Sequence, residues 1–273
     1  MTVQVTSQIP AGVPVKAERR GAVLHVTVDR PEKRNALNHD TLAALKHTFD
    51  THAGDQTLTA AVLTGTGDRA FAAGGDLHEL QALTTAEAIE AFTRAARSAL
   101  DSVRCFPVPV IGALNGDAFG GGAELAMACD LRLAAPHVRI AFLQGRLAIS
   151  TAWGGGIDLM RLAGPARGLE LLGSSRMVPA GEAVDLGLVT AVAPAGMPFG
   201  AFVCAFLENW SHQRPQVMRA FKAQVLAERL GLPRSEREAA ELRGFVASWL
   251  DDDHWRAAEQ AIAGIGGASR KAS

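Results

Sequence analysis

The sequence contains no tyrosine and only three cysteines, Cys105, Cys129 and Cys204. They lie far apart and form no Cys-x-x-Cys pair, which excludes a disulfide-stapled scaffold and a cysteine zinc site and fits a reducing compartment. A charge imbalance is also missing. With 27 basic and 28 acidic residues there is no net field to draw in nucleic acid or an anionic membrane. No apolar run reaches the roughly 18 residues of a membrane helix. Residues 1–20 lack the basic start and apolar centre of a secretory signal. A soluble, cytoplasmic protein is expected, with no nucleic-acid or membrane partner.

Several catalytic signatures are absent too. There is no GxxxxGK[ST] phosphate loop and no GxSxG nucleophile elbow. Neither glycine triplet completes a dinucleotide fingerprint, because the third glycine position is Leu125 after Gly120 and Gly122, and Leu159 after Gly154 and Gly156. His78-Glu79 is followed by Ala82 where a zinc protease helix needs histidine, so no metal site is expected.

What the chain does have is glycine, 28 residues clustered in a few loops. Residues 1–16 read as an extended arm without pattern. Ala22 to Val28 reads as a strand ending at Asp29-Arg30-Pro31, and Asn38 is placed to cap a helix carrying Leu42, Leu45 and Phe49 at helical spacing. Leu58 to Thr64 is a second strand, leading to Gly74-Gly75-Asp76, and Thr85 to Cys105 is a long amphipathic helix stopped by Pro107 and Pro109. Val110 to Leu114 and Leu131 to Ala135 are further strands. This alternation of strand and helix over residues 17–195 predicts an α/β core with largely parallel neighbours. Residues 196–263 are nearly all helix, with Leu242, Phe245, Val246, Trp249 and Leu250 on one stripe that must cover a core or a second subunit. Residues 264–273 read as a fraying tail.

The central stretch runs from Pro109 to Asp130. Gly120, Gly121 and Gly122 sit where a helix begins, so a ligand can approach backbone N–H groups that have no internal partner and carry the positive end of the dipole. Glu124 follows within a turn and adds a proton carrier. By residue type alone, packing turns with a dipole-stabilised glutamate account for the pattern as well as an anion site does.

Three blocks, RPEKRNALN at 30–38, FAAGGDL at 71–77 and NGDAFGGGAELAMACD at 115–130, resemble the signature regions of the crotonase family, the enoyl-CoA hydratase/isomerase superfamily, in order and spacing over about residues 20–195. The resemblance implies a ClpP-like spiral of repeated ββα units with a C-terminal helical trimerisation region, assembled as a homotrimer or as a hexamer of two trimers. It implies an acyl-CoA thioester substrate, with coenzyme A as part of the substrate and no prosthetic group. Gly75 and Gly121 match the two backbone donors that hold the thioester oxygen as an enolate forms. Lys33, Arg34, Ala36, Ala73, Asp76 and Leu77 match the coenzyme A-binding region, Ala73 through its carbonyl to the adenine and Lys33 and Arg34 near the phosphates.

Glu124 matches the first of two glutamates by which the family's hydratases hold and activate water. The second ends a segment like FGQPE. Read as Ile140-Ala141-Phe142-Leu143-Gln144, this chain puts Gln144 there, and an amide cannot exchange a proton as a carboxylic acid does. Hydration or isomerisation is expected first, with His78 and Asp117 as candidate substitutes for the missing acid. The run Ser150 to Gly155 and the positions of Phe245 and Trp249 resemble the branch that decarboxylates methylmalonyl- or ethylmalonyl-CoA. A non-catalytic acyl-CoA-binding member is the alternative of another class. Leu77, Leu80, Phe119, Phe142, Ile149 and Trp153 are candidates for the acyl pocket wall.

Overall fold

A computed structural model describes residues 13–269. Strands β1 (Val15–Arg20) and β2 (Val23–Val28) pair antiparallel, and α1 (His39–His52) follows, its first turn capped by Asn38, whose Oδ1 accepts from Thr41 N at 3.0 Å. Three ββα turns come next. The first is β3 (Ala60–Gly65), β4 (Ala70–Ala72) and the helices α2 (Leu77–Leu80) and α3 (Ala86–Arg104). The second is β5 (Val110–Leu114), β6 (Asp117–Phe119) and α4 (Gly121–Ala128). The third is β7 (Leu131–Ala134), β8 (Arg139–Ala141), a 3₁₀ turn at Leu143–Leu147 and α5 (Gly155–Ala163). The chain continues through α6 (Pro165–Ser174), β9 (Val178–Pro179), α7 (Ala180–Asp185) and β10 (Ala191–Val192). Four helices close it: α8 (Phe199–Ser211), α9 (Pro215–Arg229), α10 (Arg234–Trp249) and α11 (Asp252–Ser269).

Each ββα turn gives its first strand to one sheet and its second to another. The larger sheet runs β1-β2-β3-β5-β7-β10 and the smaller β4-β6-β8-β9, parallel except at β1/β2 and β8/β9. Because side chains alternate along a strand, β3 and β5 feed two cores at once. Ala61, Leu63, Val110 and Leu114 face the main core, while Ala60, Val62, Ile111 and Ala113 face a smaller cluster closed by Val203 and Leu207 of α8. Sheet edges and helix starts therefore converge where β4, β6 and β8 end.

Two boundaries differ from the sequence reading. β1 begins at Val15, inside the segment 1–16 read as an arm, of which residues 1–12 lie outside the described part. Its Lys16, Glu18, Arg19 and Arg20 belong to an edge strand, where charge blocks further pairing and hides the strand pattern. Helix α11 reaches Ser269, into the segment 264–273 read as frayed. The stripe Leu242, Phe245, Val246, Trp249 and Leu250 lies exposed on and just past α10.

Candidate functional site

After β4 the chain enters a turn fixed by the loop 30–38. Ala73 N donates to Arg34 O at 3.0 Å, Leu37 N to Gly74 O at 2.8 Å, and Asp76 N to Leu37 O at 3.1 Å. Asn35, itself left-handed at φ 55°, holds that loop through its buried side chain to Ala70 O at 2.7 Å. Gly74 has φ +113° and Gly120 φ +52°, backbone that a side chain would strain. The two glycine turns abut, since a methyl on Gly74 would lie 3.6 Å from Gly121 N. The Trp153 ring covers both, 2.2 Å from a methyl placed on Gly121 and 3.5 Å from one on Gly75. Gly121 opens α4, where amides lack intrahelical acceptors. Among the described residues neither the Gly75 nor the Gly121 amide has a hydrogen-bond partner.

Glu124, in the first turn of α4, is 2% exposed. Its Oε2 accepts from Trp153 N and Gly155 N, both at 2.9 Å, and its Oε1 from Gln144 Nε2 at 2.9 Å. Burial pushes the Glu124 carboxyl above its usual range, against the opposing pull of the Gly155 and Trp153 amides and of Gln144. Gly155 must be glycine, because a methyl there would lie 2.4 Å from Glu124 Cβ. Gln144 is also buried, and its Oε1 has no donor.

The segment that supplies these amides is held from behind by α3. Arg97 Nη2 donates to Ala152 O at 2.7 Å, and Arg104 Nη2 to Trp153 O at 3.0 Å. Arg104 Nε also meets Asp158 at 2.8 Å, and Asp158 in turn meets Arg229 of α9 at 3.2 Å. Lys222 of α9 pairs with Asp130 at 2.5 Å, and burial lowers its pKa. Helix α9 thus braces the carboxylate's donors through a buried chain of charges.

Gly75, Gly121, Glu124 and Gln144 all line one largely apolar cleft of about 770 Å³, with Leu77, Leu80, Ile149 and Trp153 among its walls. A second, more polar cleft of about 500 Å³ is lined by Arg34, Arg69, His137 and Arg139 and shares Ala73 with the first. Two wall candidates fall elsewhere: Phe142 is buried in the core and Phe119 lines the polar cleft. The candidate substitute acids are also displaced. His78 is exposed outside the apolar cleft, and Asp117 lines the polar cleft, gripped by Arg139 at 2.5 Å. Lys33 is exposed and lines neither cleft, while Ala36 and Asp76 hold Arg30, at 2.6 and 3.0 Å.

Sequence reasoning missed Arg146, Phe92 and Leu147, which line the apolar cleft. The signal for Arg146 was present. With Phe142 set on the phenylalanine of FGQPE, Gln144 falls on its glutamine and Arg146 on its glutamate, two residues beyond the position first assigned. Among the described residues no group of three or more His, Cys, Asp or Glu could hold a metal ion, and no helix is long and apolar enough to cross a membrane.

A spiral of ββα turns that sets two glycine turns and a buried glutamate around one cleft has the architecture of crotonase-fold proteins. The chain belongs to the enoyl-CoA hydratase/isomerase family, whose profile matches residues 18–259. It is 35% identical over 175 residues to a short-chain-enoyl-CoA hydratase of Clostridium acetobutylicum, covering 64% of this chain and 67% of that protein. It is 37% identical over 178 residues to a crotonyl-CoA hydratase of Syntrophomonas wolfei, covering 65% and 67%. Among solved structures, an enoyl-CoA hydratase/carnithine racemase of Magnetospirillum magneticum superposes with a TM-score of 0.85 at 33% identity, covering 92% of each chain.

Proposed function

We propose that the protein binds an acyl-CoA thioester and stabilises its enolate between the amides of Gly75 and Gly121, with Glu124 as the acid/base or water-holding group. One observation carries this reading: the two amides, side by side on the cleft wall, lack any acceptor among the described residues. Unsatisfied donors aimed at a developing oxyanion need no reorganisation as charge forms, and each is worth about 3–4 kcal/mol. The acyl chain lies along Leu77, Leu80 and Trp153, and the coenzyme passes Ala73 toward Arg34 in the polar cleft. The exposed α10 stripe is the contact of a homotrimer, or of a hexamer built from two.

Gln144 is a donor to Glu124 and not a second acid. The cleft therefore has one carboxylate, and hydration by this protein is slower than by a two-glutamate enzyme. The same feature favours a second reading, loss of CO₂ from a malonyl-type thioester, which needs the oxyanion donors more than an acid–base pair. Incubation with crotonyl-CoA and, separately, methylmalonyl- or ethylmalonyl-CoA decides between them: loss of the enoyl absorbance supports the first and CO₂ release the second. Tight binding of both thioesters with no turnover would leave a non-catalytic acyl-CoA-binding protein and defeat both.

A further inference from the structure

The apolar cleft contains one charged group that enolate chemistry does not use. Of its lining residues only Glu124 and Arg146 carry ionisable charge, and the Glu124 carboxylate is already held by three N–H donors. Arg146 has no ion-pair or hydrogen-bond partner among the described residues. Leu143, Leu147 and Ile149 line the cleft beside it and offer a cation nothing.

Coenzyme phosphates do not account for it. Cations suited to them, Arg34 and Arg69, line the polar cleft, which meets the apolar one at Ala73. Arg146 instead shares the cleft with the reacting groups. A guanidinium presents a planar fork that matches a carboxylate bidentately.

We propose that Arg146 selects thioesters whose acyl chain ends in a carboxylate, the mono-CoA esters of dicarboxylic acids. This rests on the reading of the cleft as an acyl-CoA site and names the acyl class it takes. The carboxylate is at the chain end and not on the carbon next to the thioester, because a cation on a departing carboxylate would stabilise the reactant more than the transition state for CO₂ loss.

Binding of unreactive saturated analogues isolates the contact from chemistry. Glutaryl-CoA and 5-methylhexanoyl-CoA have the same branched end, charged in one and neutral in the other. Calorimetric titration of the full chain should give a glutaryl preference of about fivefold, the upper range for an exposed ion pair. The ratio should fall toward one in Arg146→Gln, fall below one in Arg146→Glu, and survive in part in Arg146→Lys. Because Arg146 is exposed, these variants should keep the wild-type circular dichroism and melting temperature. Equal wild-type affinities, or a preference unchanged in Arg146→Gln, would overturn this proposal and leave the acyl-CoA reading intact. Failure of both analogues to bind would overturn both.

Discussion

In a Glu124→Gln variant the side chain keeps its shape and loses its charge and its dissociable proton. The carbonyl oxygen that remains can accept from Trp153 N and Gly155 N as Oε2 now does at 2.9 Å. The new amide would meet Gln144 Nε2, donor against donor, across the present 2.9 Å contact. Gln144 has an unpartnered Oε1, so a half-turn of its own amide restores that bond. Three hydrogen bonds survive and a buried charge is removed, so the variant should match or exceed wild-type stability to within about 1 kcal/mol. Glu124→Ala instead strands the Trp153 and Gly155 amides and the Gln144 side-chain amide at about 1–3 kcal/mol each, or roughly 3–9 kcal/mol in all. The pH dependence has a defined sign. Burial raises the native pKa of Glu124 above the reference value of 4.5, so the folded protein binds this proton more tightly than the unfolded chain. The wild-type contribution is therefore full below 4.5 and is lost as pH rises through the native pKa, a slope that Glu124→Gln lacks. Urea unfolding from pH 4.5 to neutrality should show the glutamine variant gaining on wild type as pH climbs. Thioester turnover should drop by about 10²–10⁴-fold in the same variant. Equal destabilisation by glutamine and alanine would refute the amide half-turn, and undiminished turnover would refute the role given to Glu124.

Arg104→Met should cost about 3–5 kcal/mol, because it strips Asp158 of one buried partner and frees the Trp153 carbonyl. Loosened donors raise the Glu124 pKa further, so the acid limb of the pH–rate profile should move upward; an unmoved limb would reduce Arg104 to a packing role. Wild type should sediment as a trimer or hexamer, and the double variant Leu242→Asp/Leu250→Asp, at positions 62% and 75% exposed, as a monomer. Identical masses would remove α10 from the interface.

The elements that repay local reading are those whose faces differ. The spacing of Leu42, Leu45 and Phe49, all buried in α1, and the cap at Asn38 are visible in sequence because one helix face meets the core. Strand β5 is legible as an apolar run because both of its faces are covered. β1 is illegible for the opposite reason: as a charged edge strand it has only Val15 fully in the core. Pairing of strands into two sheets is a tertiary result, and no local pattern in β4, three residues long, encodes its place beside β6.

The site divides along the same line. Gly75, Gly121 and Glu124 are visible because a backbone donor at a glycine turn and a carboxylate one turn along are local chemistry. What they do depends on contacts made from far away: Gln144 and Trp153 reach Glu124 across 20 and 29 residues, and Arg104 reaches Asp158 across 54. Those contacts change the meaning of the glutamine. Seen as a lost acid it removes a proton carrier; seen in place it is a donor to the buried carboxylate. In the proposed role, a single glutamate with a raised pKa takes the proton in one direction and returns it in the other. Two peptide amides keep that glutamate anchored in both states, since Oε2 accepts from them whether or not Oε1 is protonated. In the protonated state Oε1 becomes a donor and Gln144 must turn its carbonyl toward it, so one proton transfer and one amide rotation are coupled.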